Sequence, residues 1–355
     1  MKKLFALLLV MVMLLSLAAC GGQSAPAPTA APEAPATEAP AAEASVEEAY
    51  TYPELTLQYG TTAAEGSLSV NAMYDFAEKV SAATNGNVVV DIYPGGQLGK
   101  SNDLLEQCQL GTLAMTNSSP AQMTNAGVPE MAVLGMPYLY RDYEHYWNVL
   151  FGEVGAKYLD VITEKCPGVV GFGYYADGAR HFFLNTPIES LADMKGLKIR
   201  VQDTSIDNAW CTALGANPTP TATSEIYSSM SNGLVDGAEQ PLAGYYSSKY
   251  YEVSKYLILD GHTYNLLIPI FSESVWNSLD ENTQKMLKDC WAQTMEEQHE
   301  IIVNTQNDLI KQIEEAGVQV STPADLADWA AAMDGVYAEF GAGYEAEIAE
   351  IQEVK

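Results

Sequence analysis

The sequence predicts an α/β protein with a mainly parallel sheet, divided into two domains that share one long helix. Three observations support this prediction: strand and helix patterns alternate along the chain, the chain has 355 residues, and one helical pattern continues for about 35 residues. Alternation of strands and helices is typical of parallel sheets. Single hydrophobic cores stop growing near about 250–300 residues, so this length suits two domains.

The first nineteen residues have the layout of a signal peptide. Two lysines follow Met1, and an apolar stretch interrupted only by Ser16 then runs from Leu4 to Ala19. This stretch is shorter than the roughly 20 apolar residues that a membrane-spanning helix needs. A basic start, an apolar centre and small residues at the end are typical of export signals. We therefore predict a signal peptide at 1–19 and a protein that works outside the cytoplasm.

The signal ends in Leu-Ala-Ala-Cys-Gly, which resembles the lipobox of bacterial lipoproteins. The resemblance implies that Cys20 becomes a lipidated N-terminus on the outer face of the cell membrane; the alternative is ordinary secretion. Residues 21–50 contain 11 alanines, 5 prolines and 5 glutamates. Such a composition cannot bury enough apolar surface to fold. We therefore expect residues 20–50 to be a linker between the lipid anchor and the folded body.

The body begins near Glu54 with alternating elements. We expect helices that include Phe76 and Val80, that surround Leu104, and that cover 209–214 and 226–230. The strands are expected at 55–59, 88–93, 169–175, 197–201 and 266–271.

The longest helix is expected to start after Asp280, a favourable N-cap residue, and to end at Gly317. At 1.5 Å per residue it is about 50 Å long. This length exceeds one domain, so the helix is expected to cross both. A final helix is expected to begin at Pro323, because proline is favoured at the first helical position.

The composition excludes several functions. A formal net charge of −29 argues against nucleic-acid binding, which needs a basic surface. The four body cysteines (Cys108, Cys166, Cys211 and Cys290) have no metal-site spacing, and we expect them to be single buried residues, with one or two disulfides as the alternative in an exported protein. The four histidines also lack metal-ligand spacing, and no Gly-x-Ser-x-Gly motif marks a nucleophile. We therefore expect no metal, no cofactor and no catalytic residues.

Two partial motifs resemble nucleotide-binding loops. The stretch from Pro94 to Ser101 differs from a P-loop because proline replaces its first glycine and has no N–H to offer a phosphate. The stretch from Gly171 to Ala176 fits a dinucleotide-binding glycine pattern, but a turn follows it where a helix is required. Neither stretch is expected to bind a nucleotide.

Four phrases in the middle of the chain resemble the solute-binding proteins of tripartite ATP-independent periplasmic (TRAP) transporters. They are Tyr93–Gly99 (YPGGQLG), Asp193–Val201 (DMKGLKIRV), Ala213–Tyr227 (which includes ALGANPTP and SEIY) and Gly233–Pro241 (GLVDGAEQP). Their order and spacing match, and the resemblance extends from Tyr52 to the C-terminus.

The resemblance implies two α/β lobes, a hinge, and a ligand enclosed between the lobes. It places the first lobe at 51–177 with about 266–305, and the second at 178–265 with about 306–355. It also implies an organic-acid ligand, such as a dicarboxylate or a sugar acid, and delivery to TRAP membrane permease subunits.

Arg200 is the main candidate ligand-binding residue. The alternation in Leu197–Val201 places Lys198 and Arg200 on the opposite face from the apolar residues, near the end of a strand. A guanidinium matches a carboxylate with two parallel hydrogen bonds. The family match makes Arg200 the carboxylate clamp, and Arg180 a second arginine that holds another ligand oxygen or orients the first. For either arginine the alternative is a surface ion pair.

The family match assigns further positions. Gln240 stands where many relatives have an asparagine that binds the carboxylate. Thr223 stands where sialic-acid and other sugar-acid binders often have a stacking aromatic ring, and Ser101 and Ser119 stand where sialic-acid binders have acids. These differences argue against sialic acid and favour a smaller or differently shaped carboxylate.

Other candidates have weaker support. Thr62, Asn117 and Ser119 are candidate polar contacts from the first lobe, or simply turn residues. Trp210 and Tyr245 are candidate cleft walls, with the hydrophobic core as the alternative, and His262 is expected to be structural. Two other functions stay open at this point: a ligand-sensing surface lipoprotein of the same fold, and a secreted hydrolase.

Overall fold

The computed structural model describes residues 50–355, which form one compact unit. The predicted signal peptide, Cys20 and the linker up to residue 49 lie outside the described residues. Among the helices of the described part, none combines the length and the apolar character needed to cross a membrane.

Residues 50–355 contain ten strands. They are β1 (Leu55–Gly60), β2 (Val88–Tyr93), β3 (Met115–Ser118), β4 (Val169–Gly171), β5 (Tyr175–Leu184), β6 (Lys198–Val201), β7 (Asn217–Pro220), β8 (Gly237–Pro241), β9 (Tyr256–Ser272) and β10 (Gln319–Ser321).

The same residues contain thirteen α-helices and four short 3₁₀ segments. The helices are α1 (Leu68–Ala83), α2 (Ser101–Gln109), α3 (Pro120–Asn125), α4 (Tyr143–Phe151), α5 (Glu153–Lys165), α6 (Ser205–Ala213), α7 (Ile226–Ser231), α8 (Leu242–Ser247), α9 (Glu273–Trp276), α10 (Glu281–Glu315), α11 (Leu326–Ala331), α12 (Asp334–Phe340) and α13 (Glu345–Glu353). The 3₁₀ segments are Pro129–Gly135, Leu191–Met194, Thr223–Glu225 and Tyr250–Glu252.

Two groups of strands meet on the 17-residue strand β9. Its C-terminal half pairs with β3 and β4, and β1 and β2 continue that sheet beyond β3. Its N-terminal half pairs with β5 and β10, and β8, β6 and β7 continue the second sheet beyond β5. We call the region around the first sheet the first lobe and the region around the second sheet the second lobe. Strand β9 therefore belongs to both.

The sheets are mixed, whereas the sequence predicts a mainly parallel arrangement. β1, β2 and β3 pair in parallel, as do β6, β7 and β8, because a helix or helical turn separates these strands along the chain. β9 runs antiparallel to β3, β4 and β5, and β5 runs antiparallel to β8. The expected strand at 169–175 is in fact β4 and the first residue of β5, separated by Phe172–Tyr174.

Helix α10 confirms the prediction of one long helix that crosses both lobes. It has 35 residues, and the Asp280 side chain caps it by accepting a hydrogen bond from the Thr283 N–H at 3.0 Å. Near its start, Leu287 and Trp291 pack in the core of the first lobe. Near its end, Ile313 packs in the core of the second lobe.

The C-terminal region differs from the prediction of one helix that begins at Pro323. Its first helix, α11, begins at Leu326, and α12 and α13 follow. The predicted boundaries assign residues 306–355 to the second lobe, whereas the last residues contact the first lobe. Arg141 donates hydrogen bonds to the Gln352 and Val354 carbonyls at 2.7 and 2.6 Å. The lobe boundaries stay a prediction, with this contact as an exception to it.

All four body cysteines are buried and unpaired, as the sequence predicts. Cys108, Cys166 and Cys211 pack in one hydrophobic core, and Cys290, a residue of α10, packs in the core of the first lobe.

Candidate functional site

A cavity of about 170 Å³ lies where the two lobes meet on β9. The first lobe contributes residues from α3 and the adjacent 3₁₀ segment, β9 contributes a continuous stretch, and the second lobe contributes β5 and the start of α6. The lining residues are Ser119, Pro120, Ala121, Thr124, Asn125, Ala132, Gly135, Arg180, Gln202, Thr204, Ser205, Ile206, Asp207, Thr263, Tyr264, Asn265, Leu266, Leu267 and Phe340. Enclosure by both lobes makes this cavity the candidate ligand site.

Irregular pairing between β5 and β9 shapes this region. The register shifts between Ala176 and Ala179, and again between Arg180 and Phe182, where β9 carries several extra residues. Gly261 lies in that second irregularity with φ of +59°, a backbone conformation that favours glycine. Bulges change the direction of nearby side chains. Here they occur beside Arg180 on one strand and His262 on the other.

Arg180 is buried in the cavity wall, with a relative exposure of 6%. Its Nε and Nη2 atoms donate to the two carboxylate oxygens of Glu239, Nη2 over 2.7 Å. Nη1 donates to Asn265 Oδ1 at 2.8 Å, and the Asn265 amide donates in turn to Asp177 Oδ2 at 3.1 Å. These bonds fix the guanidinium beside the cavity.

Arg200, the predicted clamp, is 1% exposed and does not line the cavity. Its Nε and Nη2 atoms donate to the Thr221 carbonyl at 2.9 and 2.7 Å, and Nη2 also donates to the Thr223 hydroxyl at 3.2 Å. Nη1 has no hydrogen-bond partner among the described residues and lies 3.8 Å from Glu239 Oε1. Burial lowers the pKa of Arg200, and Glu239 is the largest of the charges that oppose this effect.

Glu239 is a shared counterion for several buried cations. Although burial alone would raise the pKa of Glu239, Arg180 and His262 hold it at about 2. His262 Nδ1 lies 2.6 Å from Asp260 Oδ2, and its Nε2 lies 3.7 Å from Glu239 Oε2. Burial would lower the pKa of His262, but these two carboxylates raise it to about 9. Two guanidiniums and one charged imidazole therefore share Glu239.

Comparison with known proteins decides the family. Residues 59–343 match the family model of bacterial extracellular solute-binding proteins, family 7. The chain belongs to this family. Family 7 proteins bind solutes and are not enzymes, so the secreted-hydrolase alternative is wrong.

Several family 7 proteins are similar over most of this chain. A solute-binding protein of Roseobacter denitrificans is 33% identical over 285 residues, which is 80% of this chain and 87% of that protein. Its crystal structure, with bound L-galactonate, has a TM-score of 0.77 at 32% identity and covers 85% of this chain and 99% of that one.

A sialic acid-binding periplasmic protein of Vibrio cholerae is 30% identical over 80% of this chain and 88% of its own length. A TRAP periplasmic solute-binding protein of Pseudomonas putida, with bound D-glucuronate, has a TM-score of 0.80 at 28% identity and covers 84% of this chain and 97% of that one. The two-lobed α/β fold expected from the resemblance is therefore confirmed.

Of the nine ligand-site residues expected for this family 7 protein, two line the cavity and seven, including Arg200 and Thr223, do not. Arg180 and Ser119 line the cavity. Arg200 and Thr223 bond to each other. Ser119 also caps α3 by accepting a hydrogen bond from the Gln122 N–H, as the turn-residue alternative expects. The roles of these four residues in ligand binding stay predictions.

The other five expected residues do not line the cavity. Gln240 is half-buried on β8, and strand alternation directs it away from the side of Glu239. Thr62 is exposed, with its hydroxyl 3.4 Å from that of Ser101. Asn117 accepts a hydrogen bond from the Tyr59 hydroxyl at 2.5 Å.

Trp210 and Tyr245 lie in the hydrophobic core, as the alternative to cleft walls expects. Trp210 packs beside Phe182 and donates to Asp207 at 2.8 Å, and Tyr245 donates to the Ser254 carbonyl at 2.9 Å. Tyr264 and Phe340 are the aromatic residues of the cavity lining. Since the chain has 21 tyrosines, their positions in the sequence gave no signal for this role.

Glu239, Asp207 and Asn265 were missed by sequence reasoning. Glu239 was detectable in principle, because it is an acid between small and apolar residues within a phrase that the family shares.

Among the described residues no group of three or more histidine, cysteine or acidic side chains is arranged to hold a metal ion.

Proposed function

We propose that this protein is the lipid-anchored solute-binding protein of a TRAP transporter. It captures an organic acid between its two lobes and delivers it to the permease in the membrane. The proposal rests on one observation: Arg180, a buried arginine, lines a cavity that residues of both lobes enclose.

The buried guanidinium of Arg180 in the cavity wall favours an anionic ligand. Arg180 and Arg200 share the single carboxylate of Glu239, and Arg200 Nη1 has no hydrogen-bond partner among residues 50–355. Buried charges are costly unless they are paired. A ligand carboxylate in the cavity adds a charged acceptor beside the Arg180 guanidinium. Charge-assisted bonds from arginine to a carboxylate are among the stronger hydrogen bonds in proteins.

The ligands of related proteins support an organic acid. D-glucuronate and L-galactonate are bound in two of the similar structures, and both are sugar acids with a carboxylate and several hydroxyl groups. The 170 Å³ cavity combines a buried guanidinium with hydroxyl and amide groups, such as Thr204, Ser205 and Gln202, that suit a ligand of this class.

A thermal-shift screen tests this function. We expect a sugar acid or a dicarboxylate to raise the melting temperature of the purified protein, because a ligand that binds only the folded state stabilises it. Uronates, aldonates and C4-dicarboxylates form the panel, with uncharged sugars and amines of similar size as controls. No stabilisation by any organic acid would contradict the proposal.

Arg200→Lys tests the clamp with its charge retained. Lysine keeps the positive charge but loses the planar fork, and we expect about 2–5 kcal/mol of ligand affinity to be lost in titration calorimetry. The matched control is Arg141→Lys, because Arg141 donates to carbonyls far from the cavity. If the two variants bind the ligand with equal affinity, Arg200 does not contribute to ligand binding.

Attachment to the membrane depends on Cys20 in this proposal. We expect Cys20→Ala to move the protein from the membrane fraction to the soluble extracytoplasmic fraction, because a lipid chain can be added only to the cysteine. Fractionation followed by immunoblotting measures this change. Unchanged membrane association of the variant would exclude this anchor.

A further inference from the structure

We propose that Asp207 determines which organic acids this site accepts. In this inference, which rests on the proposed function, Asp207 accepts a hydrogen bond from a hydroxyl or ammonium group of the ligand and rejects a second carboxylate. The preferred ligand is thus a monocarboxylate with a donor group elsewhere in the molecule, and dicarboxylates are disfavoured.

Asp207 is the only acidic residue that lines the cavity, among the residues that the structure describes. It lies in the first turn of α6, and Thr204 caps that helix by accepting a hydrogen bond from the Asp207 N–H at 3.1 Å. The Trp210 indole donates to Asp207 Oδ1 at 2.8 Å. Because Trp210 is buried in the core, this bond fixes the position of the carboxylate.

No cation of the described chain forms an ion pair with Asp207. Arg180 uses its guanidinium on Glu239 and Asn265 instead. Burial and the like charge of Glu239 raise the pKa of Asp207, and they outweigh the lowering by the hydrogen bonds of Thr204 and Trp210 and by the charge of Arg180. A half-buried carboxylate without a cation is stabilised by any donor that a ligand supplies.

The same position disfavours a second ligand carboxylate. If one carboxylate of a dicarboxylate is held by the arginines, the other shares the small cavity with Asp207. Two carboxylates in one partly dehydrated site repel each other. A hydroxyl group donates a hydrogen bond there, and an ammonium group adds an attractive charge. Arg180 and Asp207 therefore give the cavity two groups of opposite preference.

An ordinary structural role for Asp207 predicts a different result. Acids in the first turn of a helix are stabilising, and the bond to Trp210 adds to this effect. If Asp207 has only this role, its substitution lowers stability and affects all ligands alike. The ranking of ligands is thus the measurement that separates the two roles.

The test uses three ligands that differ at one end only: L-galactonate, galactarate and 6-amino-6-deoxy-L-galactonate. Their C6 groups are a hydroxyl, a carboxylate and an ammonium group. Titration calorimetry on the purified full chain should show that galactarate binds at least about tenfold more weakly than the better of the other two, since a hydrogen bond to a charged group corresponds to about that factor. The amino and hydroxy compounds then identify which donor the site prefers.

Asp207→Asn removes the charge and keeps the size and the acceptor for Trp210. In this variant we expect the ratio between the Kd of galactarate and the Kd of the better of the other two ligands to fall by about tenfold. Most of this fall should come from tighter binding of galactarate. The matched control is Asp203→Asn, which removes an exposed acid just before the same helix and outside the cavity lining; its ranking should equal that of the wild type.

Two results would overturn the inference while leaving the proposed function intact. The first is that the wild type binds galactarate with the same affinity as the other two ligands. The second is that Asp207→Asn changes the affinities for all three ligands by the same factor. The ranking of the three ligand affinities is measured on the wild type, so it tests the inference even if Asp207→Asn folds poorly. If no organic acid binds the wild type at all, the proposed function itself is wrong.

Discussion

At the scale of single residues, Glu239 organises the charges beside the cavity. It is 1% exposed and lies within 4.0 Å of Arg180, Arg200 and His262. A buried ion pair offsets the cost of dehydration only when additional hydrogen bonds satisfy its polar atoms. Here Asn265 and Thr221 supply those bonds to the arginines. The group is therefore fixed in place before a ligand arrives.

The charge of His262 makes stability depend on pH. Its pKa is raised to about 9 in the folded protein, above an unfolded value of about 6.5. Its contribution is fully present below pH 6.5 and disappears as pH rises through 9. We expect the free energy of unfolding to fall by about 3 kcal/mol across this window, measured by urea denaturation.

In His262→Gln this fall should be absent. The neighbouring His181 does not replace it, because burial lowers the pKa of His181 to about 4. Phe182→Leu is the control, since the Phe182 ring stacks on His262 at 4.4 Å and carries no charge. It should lower stability by a similar amount at every pH. Parallel pH curves for the wild type and His262→Gln would contradict this interpretation.

At the scale of elements, α10 is held against the first lobe by its contact with the β4–β5 connection. The Trp291 indole donates to the Tyr174 carbonyl at 3.1 Å and packs over Gly173. A Cβ atom at Gly173 would lie 2.7 Å from the Trp291 ring, closer than real contacts allow. This glycine, which is part of the dinucleotide-like pattern in the sequence, thus has a packing role.

We expect Gly173→Ala to destabilise the protein by about 1–3 kcal/mol, because overpacking a fixed core contact forces neighbours to move. Gly335→Ala is the matched control. Gly335 lies in α12 with no atom near the added methyl group, so its replacement should stabilise by about 0.4–1 kcal/mol. Urea denaturation of both variants measures the difference. Equal effects of the two substitutions would show that the indole moves freely.

The sequence predicts α10 well and the central strands poorly, for physical reasons. A 35-residue amphipathic pattern with an aspartate cap specifies a helix locally. Strands β5 and β9 contain bulges and are buried irregularly, so their residues do not alternate in the usual way. Strand β7 carries two prolines and lies at a sheet edge, where proline is tolerated. Such strands depend on their partners, which the local sequence does not reveal.

In the candidate site, too, some residues can be predicted from the sequence and others cannot. Arg180 and Arg200 are recognisable because only three arginines occur, Arg200 lies in a phrase shared with the family, and Arg180 matches a second arginine of the family. Their common partner Glu239 is 39 residues beyond Arg200 and reaches them only through the pairing of β8 with β5 and β6. Spatial neighbours that sheet pairing creates cannot be derived from spacing along the chain.

At the scale of the whole molecule, the two lobes are joined by β9, β5 and α10 around the cavity. We expect them to close on a ligand, because hinge closure excludes water and strengthens the charged contacts inside. Small-angle scattering should show a smaller radius of gyration when the most stabilising acid of the thermal-shift panel is saturating. Arg200→Lys at the same ligand concentration is the control. Identical scattering of the wild type with and without that acid would mean that no closure occurs.

Because β9 belongs to both sheets, the chain cannot be divided into its lobes by a simple cut in protein engineering. Neither sheet consists of one continuous segment, since residues 256–272 supply a strand to each. A fragment cut anywhere in this stretch would expose an unpaired edge and be prone to aggregate. Chimaeras that exchange ligand preference between relatives should therefore be built by grafting individual side chains, with the shared strand left whole.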